Sequence, residues 1–150
     1  MKDVYVVGVG HTPFGKFLER NVKSLALEAV TAALEDAQME KQDIESAFVG
    51  NAMQGVVTGQ EMVRGQIALR HLGIDAIPIV NCENACATGS TAFHLAWQSI
   101  SGGHCEVALA LGVEKLYMED TEKMFKNYDV GITFRVAGLS NSLHLQRFTE

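Results

Sequence analysis

The segment with the most specific chemical signature is Asn-Cys-Glu-Asn-Ala-Cys-Ala-Thr-Gly-Ser, at residues 81–90. It joins a short apolar run at 77–80 to a stretch from Thr88 onward that has helical periodicity. Cys86 is therefore expected at a bend between a strand and a helix, close to the N-terminus of that helix. The unsatisfied backbone N–H groups and the macrodipole favour an anion there, so a thiol at this position ionises more readily.

The chemistry expected of Cys86 is nucleophilic attack on an acyl carbonyl. Backbone N–H groups at the start of a helix can hold the oxyanion that forms in such an attack. The small neighbours Ala85, Ala87 and Gly89 would let a substrate approach closely. The alternative is structural, because cysteine often serves only as a small buried residue. The residues alone leave both interpretations open.

The other cysteines indicate the cellular environment and bear on metal binding. Cys82, Cys86 and Cys105 cannot all pair within one chain. A sparse, odd set of cysteines without secretory context is typical of a reducing compartment, so we expect a cytoplasmic protein. Cys82 and Cys86 with His94 or His104 make a poor zinc set, because a tetrahedral site needs four ligands and there is no second cysteine pair. We expect no metal.

The composition excludes several classes of function. The chain has 150 residues, 47% hydrophobic and 20% charged, with 2 prolines, which is typical of a soluble globular domain. Its formal charge is −6 and it contains no basic run, so it lacks the electrostatic footprint of a nucleic-acid binder. No apolar run approaches the ~20 residues that span a bilayer. We therefore expect neither a nucleic-acid nor a membrane partner.

Two periodicities alternate along the chain up to about residue 116. Short apolar runs predict four strands, at Val4–Val9, 47–49, 77–80 and 106–111. Helices are predicted from 21 or 24 to 38, over 61–72 and over 88–100, with a loop at 54–60. This alternation predicts an α/β fold with a mainly parallel sheet and helices on both faces. The helix at 88–100 is apolar nearly all the way round, so we expect it to be enclosed, with Trp97 in the core.

Two segments carry a resemblance to a known family. The stretch from Ile79 to Leu116, with the Cys86 motif and the ending Gly-Val-Glu-Lys at 112–115, resembles the N-terminal half of a thiolase. The opening Val-Gly-Val-Gly-His-Thr-Pro-Phe-Gly at 7–15 is similar to the start of the same group, the sterol-carrier-protein type and the acetyl-CoA acetyltransferases. The resemblance covers roughly residues 3–116. It implies a thiolase-like layered fold, with residues 1–116 as the N-terminal α/β domain.

The remainder of the chain has a different character. After Leu116 neither period persists, although a further helix is predicted at 139–148. The resemblance implies that residues 117–150 are the start of a loop domain, which is incomplete here. It also implies a later strand of the same sheet. Without that strand we expect an unpaired sheet edge and an uncovered face on the helix at 88–100.

The resemblance also assigns chemistry to the chain. It implies that Cys86 is the nucleophile, which takes an acyl group from acyl-CoA as a thioester while backbone N–H groups, its own included, form an oxyanion hole. The reaction would be thiolysis of a 3-ketoacyl-CoA or the reverse Claisen condensation, with coenzyme A as co-substrate and no other cofactor. Family members are usually homodimers, which implies a two-fold interface along 77–80. Many thiolases have serine where this chain has Thr88.

The resemblance further implies that the activating histidine and a second catalytic cysteine belong to a second half. We therefore expect this chain alone not to turn over, and its partners to include a C-terminal-half chain or a small zinc-ribbon/OB-fold protein. Two alternatives stay open. One is a non-catalytic thiolase-half interaction module, and the other is a carbon–carbon lyase that keeps the thiolase fold without cysteine chemistry.

Overall fold

A computed structural model describes residues 2–120 and residue 122 of the chain. The elements follow in the order α1 (Val22–Ala37), a 3₁₀ helix (Lys41–Asp43), β1 (Ser46–Gly50), α2 (Gln54–Thr58), α3 (Arg64–Arg70), β2 (Ile79–Cys82), a second 3₁₀ helix (Ala85–Ala87), α4 (Thr88–Ser101) and β3 (Ala108–Gly112). The helix predicted at 139–148 lies outside the described residues. The domain boundary expected near residue 116 stays a prediction.

The three strands form one parallel sheet in the order β2-β1-β3. Side chains alternate along the central strand, as strand geometry requires. Phe48 packs with Ala92 and Ala96 of α4 on one face of the sheet. Ala47 and Val49 belong to the core cluster that α1 and α3 complete on the other face. The predicted α/β fold, with a parallel sheet and helices on both faces, is confirmed.

Local sequence accounts for both ends of α1. The Asn21 side chain accepts a hydrogen bond from the Ser24 N–H at 3.1 Å, and the Ser24 hydroxyl accepts one from the Asn21 N–H, also at 3.1 Å. This reciprocal cap satisfies two of the free N–H groups of a helix start. At the other end Gln38 adopts a left-handed conformation, with φ 55°, that closes the helix. Between the caps, a stripe with a spacing of four is buried: Val22, Ala26 and Val30.

The strand predicted at Val4–Val9 is wrong, because within residues 2–120 this segment joins no sheet and β1 pairs directly with β2 and β3. The segment lies against α1 instead. A Cβ atom at Gly8 or Gly10 would collide with backbone carbonyls of α1, and the Val9 N–H donates to the Asp36 carboxylate at 2.8 Å. β-Branched residues favour a strand locally, whereas a sheet position depends on a distant partner.

Two further expectations need correction. The predicted loop at 54–60 contains the short helix α2, which begins where the Gln54 N–H donates to the Asn51 side chain at 3.0 Å. Helix α4 is not enclosed by the described residues. One face is buried, but Phe93 is 55% exposed and Trp97 39% exposed, so Trp97 is not in the core. Within the described residues, this helix therefore has an uncovered face.

Candidate active site

Cys86 lies at the centre of the second 3₁₀ helix, between the end of β2 and the start of α4. Its position on a strand-to-helix bend therefore matches the expectation from the sequence. Cys86 is exposed, whereas Cys82 is half-buried and Cys105 is buried. The interpretation of a small buried residue thus fits Cys105 rather than Cys86.

The bend depends on an unusual backbone conformation immediately before Cys86. Ala85 has φ 47°, in the left-handed region. For a residue with a Cβ atom this conformation costs about 1–2 kcal/mol, and it persists where surrounding contacts hold it. The Ala85 N–H donates to the Glu83 carboxylate at 2.6 Å, and the Ala87 N–H donates to the Asn84 carbonyl at 2.9 Å.

Thr88 ties this bend to the first turn of α4. Its hydroxyl accepts a hydrogen bond from the Asn84 N–H at 2.8 Å and donates to the Ala85 carbonyl at 2.6 Å. The residue is buried, with 5% of its surface exposed. On the outer side of the helix, the Thr91 hydroxyl accepts from the Asn84 side-chain amide at 3.1 Å. Side chains of α4 thus bond both the backbone and the side chain of the bend.

At the bend, a backbone hydrogen-bond donor and open space both lie close to the Cys86 sulfur. In the part of the chain that the structure describes, the backbone N–H of Cys86 makes no hydrogen bond. An N–H group of this kind can stabilise an oxyanion that forms at the adjacent sulfur. A Cβ atom added to Gly89 would meet no atom of the described residues within 4 Å. A substrate could therefore approach over the first turn of α4.

Cys82 lies in a different environment. Its thiol faces the carbonyl oxygens of Val49 and Thr88, with sulfur–oxygen distances of 3.6 and 3.9 Å. Burial raises the pKa of the Cys82 thiol above its ordinary value. The neutral thiol is therefore the favoured form, and Cys82 joins β1 to α4 as a weak hydrogen-bond donor.

A polar network lies at the carboxyl ends of the strands, beside the bend. Asn51, which is buried, donates to the Val113 carbonyl at 2.7 Å and its own carbonyl accepts from Arg64 at 2.8 Å. The Glu114 carboxylate accepts from the backbone N–H groups of Ala52 and Met53. A small cavity of about 70 Å³ adjoins this network and reaches the bend, lined by Val49, Asn51, Arg64, Asn81, Cys82 and Glu83.

Sequence reasoning missed the structural roles of Asn51, Arg64 and Glu114. A signal was available for two of them, because Asn51 follows β1 directly and Glu114 comes soon after β3. The carboxyl ends of parallel strands meet at one edge of a sheet, where polar residues of separate strands come together. The position of Arg64 could not be found in this way, because it depends on where α3 begins.

The histidines considered for this site lie elsewhere. His94 stacks on the Trp97 ring, with 5.6 Å between the ring centroids. His104 lies in an exposed turn after α4, as predicted. Among residues 2–120, no hydrogen bond joins Cys86 to a histidine or a carboxylate, and no three His, Cys, Asp or Glu side chains are grouped to hold a metal ion. None of the helices described is both long and apolar enough to cross a membrane.

The fold and the bend together define an α/β domain with a solvent-accessible cysteine at a strand-to-helix junction. Comparison with known families gives a match to the thiolase N-terminal domain over residues 4–144. The chain therefore belongs to the thiolase family.

Curated relatives agree with this assignment. The acetyl-CoA acetyltransferase of Methanocaldococcus jannaschii is 40% identical over 116 residues, which cover 77% of this chain and 29% of the relative. Human sterol carrier protein 2 is 42% identical over 119 residues, which cover 77% of this chain and 21% of the relative. The non-specific lipid-transfer protein-like 2 of Caenorhabditis elegans is 40% identical over 116 residues, which cover 75% of this chain and 27% of the relative. The chain thus spans less than a third of the length of these relatives.

Proposed function

We propose that this chain is the N-terminal part of a thiolase-like acyltransferase that acts on acyl-CoA, with Cys86 as the nucleophile. The observation that carries the proposal is the exposed thiol of Cys86 on a bend held by hydrogen bonds, beside its own N–H group, which bonds no described residue. Membership of the thiolase family and relatives named acetyl-CoA acetyltransferase support the same chemistry.

The proposed step is transfer of an acyl group from one sulfur to another. The Cys86 thiolate attacks the acyl carbonyl of acyl-CoA and a carbon–sulfur bond forms. The carbonyl oxygen becomes an oxyanion, which accepts a hydrogen bond from the Cys86 N–H. The bond to coenzyme A then breaks, and its thiolate leaves and takes up a proton. The protein holds the acyl group as a thioester, ready for thiolysis or for Claisen condensation, with no cofactor besides coenzyme A.

We also propose that the chain by itself does not turn over efficiently. A cysteine without a paired base is only a few per cent thiolate at neutral pH, and general acid–base catalysis contributes about 10²- to 10⁴-fold. A second half, as a continuation or a separate chain, would supply that base. A homodimer through β2, an edge strand of the described sheet, or a small zinc-ribbon/OB-fold partner would complete the assembly. The cytoplasmic location stays a prediction.

Mass spectrometry of the 150-residue chain tests the nucleophile. The chain is treated with acetyl-CoA, or with iodoacetamide, and the modification rates of the three cysteines are compared at pH 7. We expect Cys86 to acquire acetyl groups from acetyl-CoA and to react with iodoacetamide faster than Cys105. Cys86→Ser, which replaces the thiol with a hydroxyl group of similar size, should abolish acetylation of the 81–90 segment. No acetylation of Cys86, or alkylation no faster than at Cys105, would contradict the proposal.

One observation favours a second candidate function. Phe93 and Trp97, four positions apart on α4, are both exposed, and an exposed aromatic surface suits a non-catalytic module that contributes an interface. The same experiment separates the two functions. The module predicts binding to a partner chain with Cys86 unreactive towards acetyl-CoA.

A further inference from the structure

We propose that Thr88 is a positioning residue that sets the direction of the Cys86 N–H group. The inference rests on the proposed function, since the direction of that group matters only if Cys86 receives an acyl group. Thr88 does not need to touch the substrate. It acts through the peptide unit that precedes the nucleophile.

The key contact is the hydrogen bond from the Thr88 hydroxyl to the Ala85 carbonyl, at 2.6 Å. This carbonyl and the Cys86 N–H belong to the same peptide unit. A trans peptide is planar, and its carbonyl and N–H groups point in opposite directions. By holding the carbonyl towards the buried start of α4, Thr88 directs the Cys86 N–H away from it.

Ala85 is held at both ends. Its N–H donates to the Glu83 carboxylate at 2.6 Å, and its carbonyl also accepts the Thr88 backbone N–H. Because its left-handed conformation is intrinsically disfavoured, the peptide can rotate towards a more ordinary conformation when one of these contacts is removed. The Thr88 hydroxyl also receives the Asn84 N–H at 2.8 Å, so its loss frees that N–H and leaves the Ala85 carbonyl with the weaker hold of the Thr88 backbone N–H alone.

The methyl group of Thr88 fixes the hydroxyl in place. A Cβ atom on Gly50 would lie 2.7 Å from this methyl carbon, which shows how closely β1 packs against the side chain. A β-branched side chain has few rotamers to begin with. Contact with the end of β1 therefore leaves the hydroxyl on the side of the bend. Serine at this position would keep both hydrogen bonds but would lose the packing.

The experiment compares two reactions of Cys86 in the 150-residue chain. Acetylation by acetyl-CoA passes through an oxyanion, whereas alkylation by iodoacetamide does not. The ratio of the two rates therefore reports the orientation of the N–H group and is insensitive to exposure of the sulfur. We expect Thr88→Val, which keeps the shape and removes the hydroxyl, to lower this ratio by roughly tenfold or more, because one oxyanion donor contributes about 10²- to 10³-fold to an acyl transfer.

Two variants serve as matched controls. Thr88→Ser restores the hydroxyl and should keep the ratio within about threefold of the wild-type value, since the methyl contributes only through packing. Thr91→Val removes a hydroxyl that donates to the Ala87 carbonyl at 3.0 Å. That carbonyl belongs to the peptide unit between Ala87 and Thr88, and the Thr91 hydroxyl otherwise bonds the Asn84 side chain. The peptide unit that carries the Cys86 N–H keeps its own contacts in this variant, so the ratio should not change.

The outcomes separate this inference from the proposed function. A wild-type chain that is not acetylated at Cys86 contradicts the proposed function itself. A wild-type chain that is acetylated, with an unchanged ratio in Thr88→Val, overturns only the role of Thr88. A Thr88→Ser ratio as low as that of Thr88→Val also overturns it. Should Thr88→Val fail to fold by circular dichroism, Thr88→Ala, which adds no bulk, gives the same comparison.

Discussion

Two regions of this molecule differ in how they are held. The bend at residues 83–88 is held by contacts between near neighbours in the sequence, namely Glu83 with Ala85, Asn84 with Thr88, and Thr88 with Ala85. The segment Val4–Val9 lies on α1 through a glycine contact and one backbone hydrogen bond to Asp36. Most of its large side chains are exposed: Tyr5, Val6, Val7 and Val9.

The difference shows what local hydrogen bonds contribute. A side chain that bonds a backbone group within a few residues orders that backbone with little loss of chain entropy. A strand has no such local partner, and its N–H and carbonyl groups need a neighbouring chain. The bend can therefore hold the disfavoured φ of Ala85. The position of the N-terminal segment depends instead on its contacts with α1.

The largest expected effect concerns the packing behind the bend. A Cβ atom at Gly50 would lie 2.7 Å from the Thr88 methyl carbon and 2.8 Å from the Thr88 carbonyl oxygen. Gly50→Ala should therefore push α4 away from β1 and lower the free energy of unfolding by about 1–3 kcal/mol, the usual cost of overpacking. Denaturant unfolding of the two chains measures this effect.

Gly89→Ala is the matched control for Gly50→Ala. Its Cβ atom would have no neighbour within 4 Å in the described part of the chain, and alanine is favoured over glycine in a helix by up to about 1 kcal/mol. The control should leave the stability unchanged or raise it. If both substitutions have the same effect on the free energy of unfolding, β1 and α4 do not pack against each other as described.

The same contrast explains what could be predicted from the sequence. The position of Cys86 on a strand-to-helix bend could be predicted, because the apolar run before it and the helical periodicity after it are local patterns. The parallel sheet could also be predicted, from the alternation of strands and helices. The position of Val4–Val9 could not be predicted, since β-propensity does not determine which strand a segment pairs with. Nor could the contacts of Asn51 with Arg64 and Val113, which lie 13 and 62 positions away.

The next prediction tests whether the N-terminal segment is held as loosely as its exposure indicates. Val7 is 62% exposed, whereas Val49 is 1% exposed in the central strand. Val7→Thr should change the free energy of unfolding by less than about 0.5 kcal/mol, as for other exposed sites. Val49→Thr buries a hydroxyl without a partner and should cost about 1–3 kcal/mol. Equal losses of unfolding free energy at the two sites would mean that Val7 is packed as tightly as Val49, which would contradict the difference between the two regions.

The smallest effect is a dependence of stability on pH that involves Cys82. Burial raises the pKa of its thiol in the folded chain above its ordinary value of 9.0. The unfolded chain therefore releases this proton first as the pH rises. The stabilising contribution of the thiol is complete below pH 9 and is lost as the pH rises through the folded pKa. Cys82→Ala should accordingly flatten the fall in unfolding free energy above pH 9.

Cys86→Ala is the control for Cys82→Ala, because it removes an exposed thiol from the same bend. Denaturant unfolding between pH 7 and about pH 10.5 measures how the unfolding free energy of the wild type and of each variant changes with pH. Lysine and tyrosine side chains are the same in all three proteins, so their contributions cancel in the comparison. We expect the fall in unfolding free energy above pH 9 to be shallower for Cys82→Ala than for the wild type, whereas Cys86→Ala, which removes no buried thiol, should not flatten it. If Cys82→Ala leaves the slope unchanged, the Cys82 thiol is as well solvated as that of Cys86, and the sulfur contacts between β1 and α4 do not persist in solution.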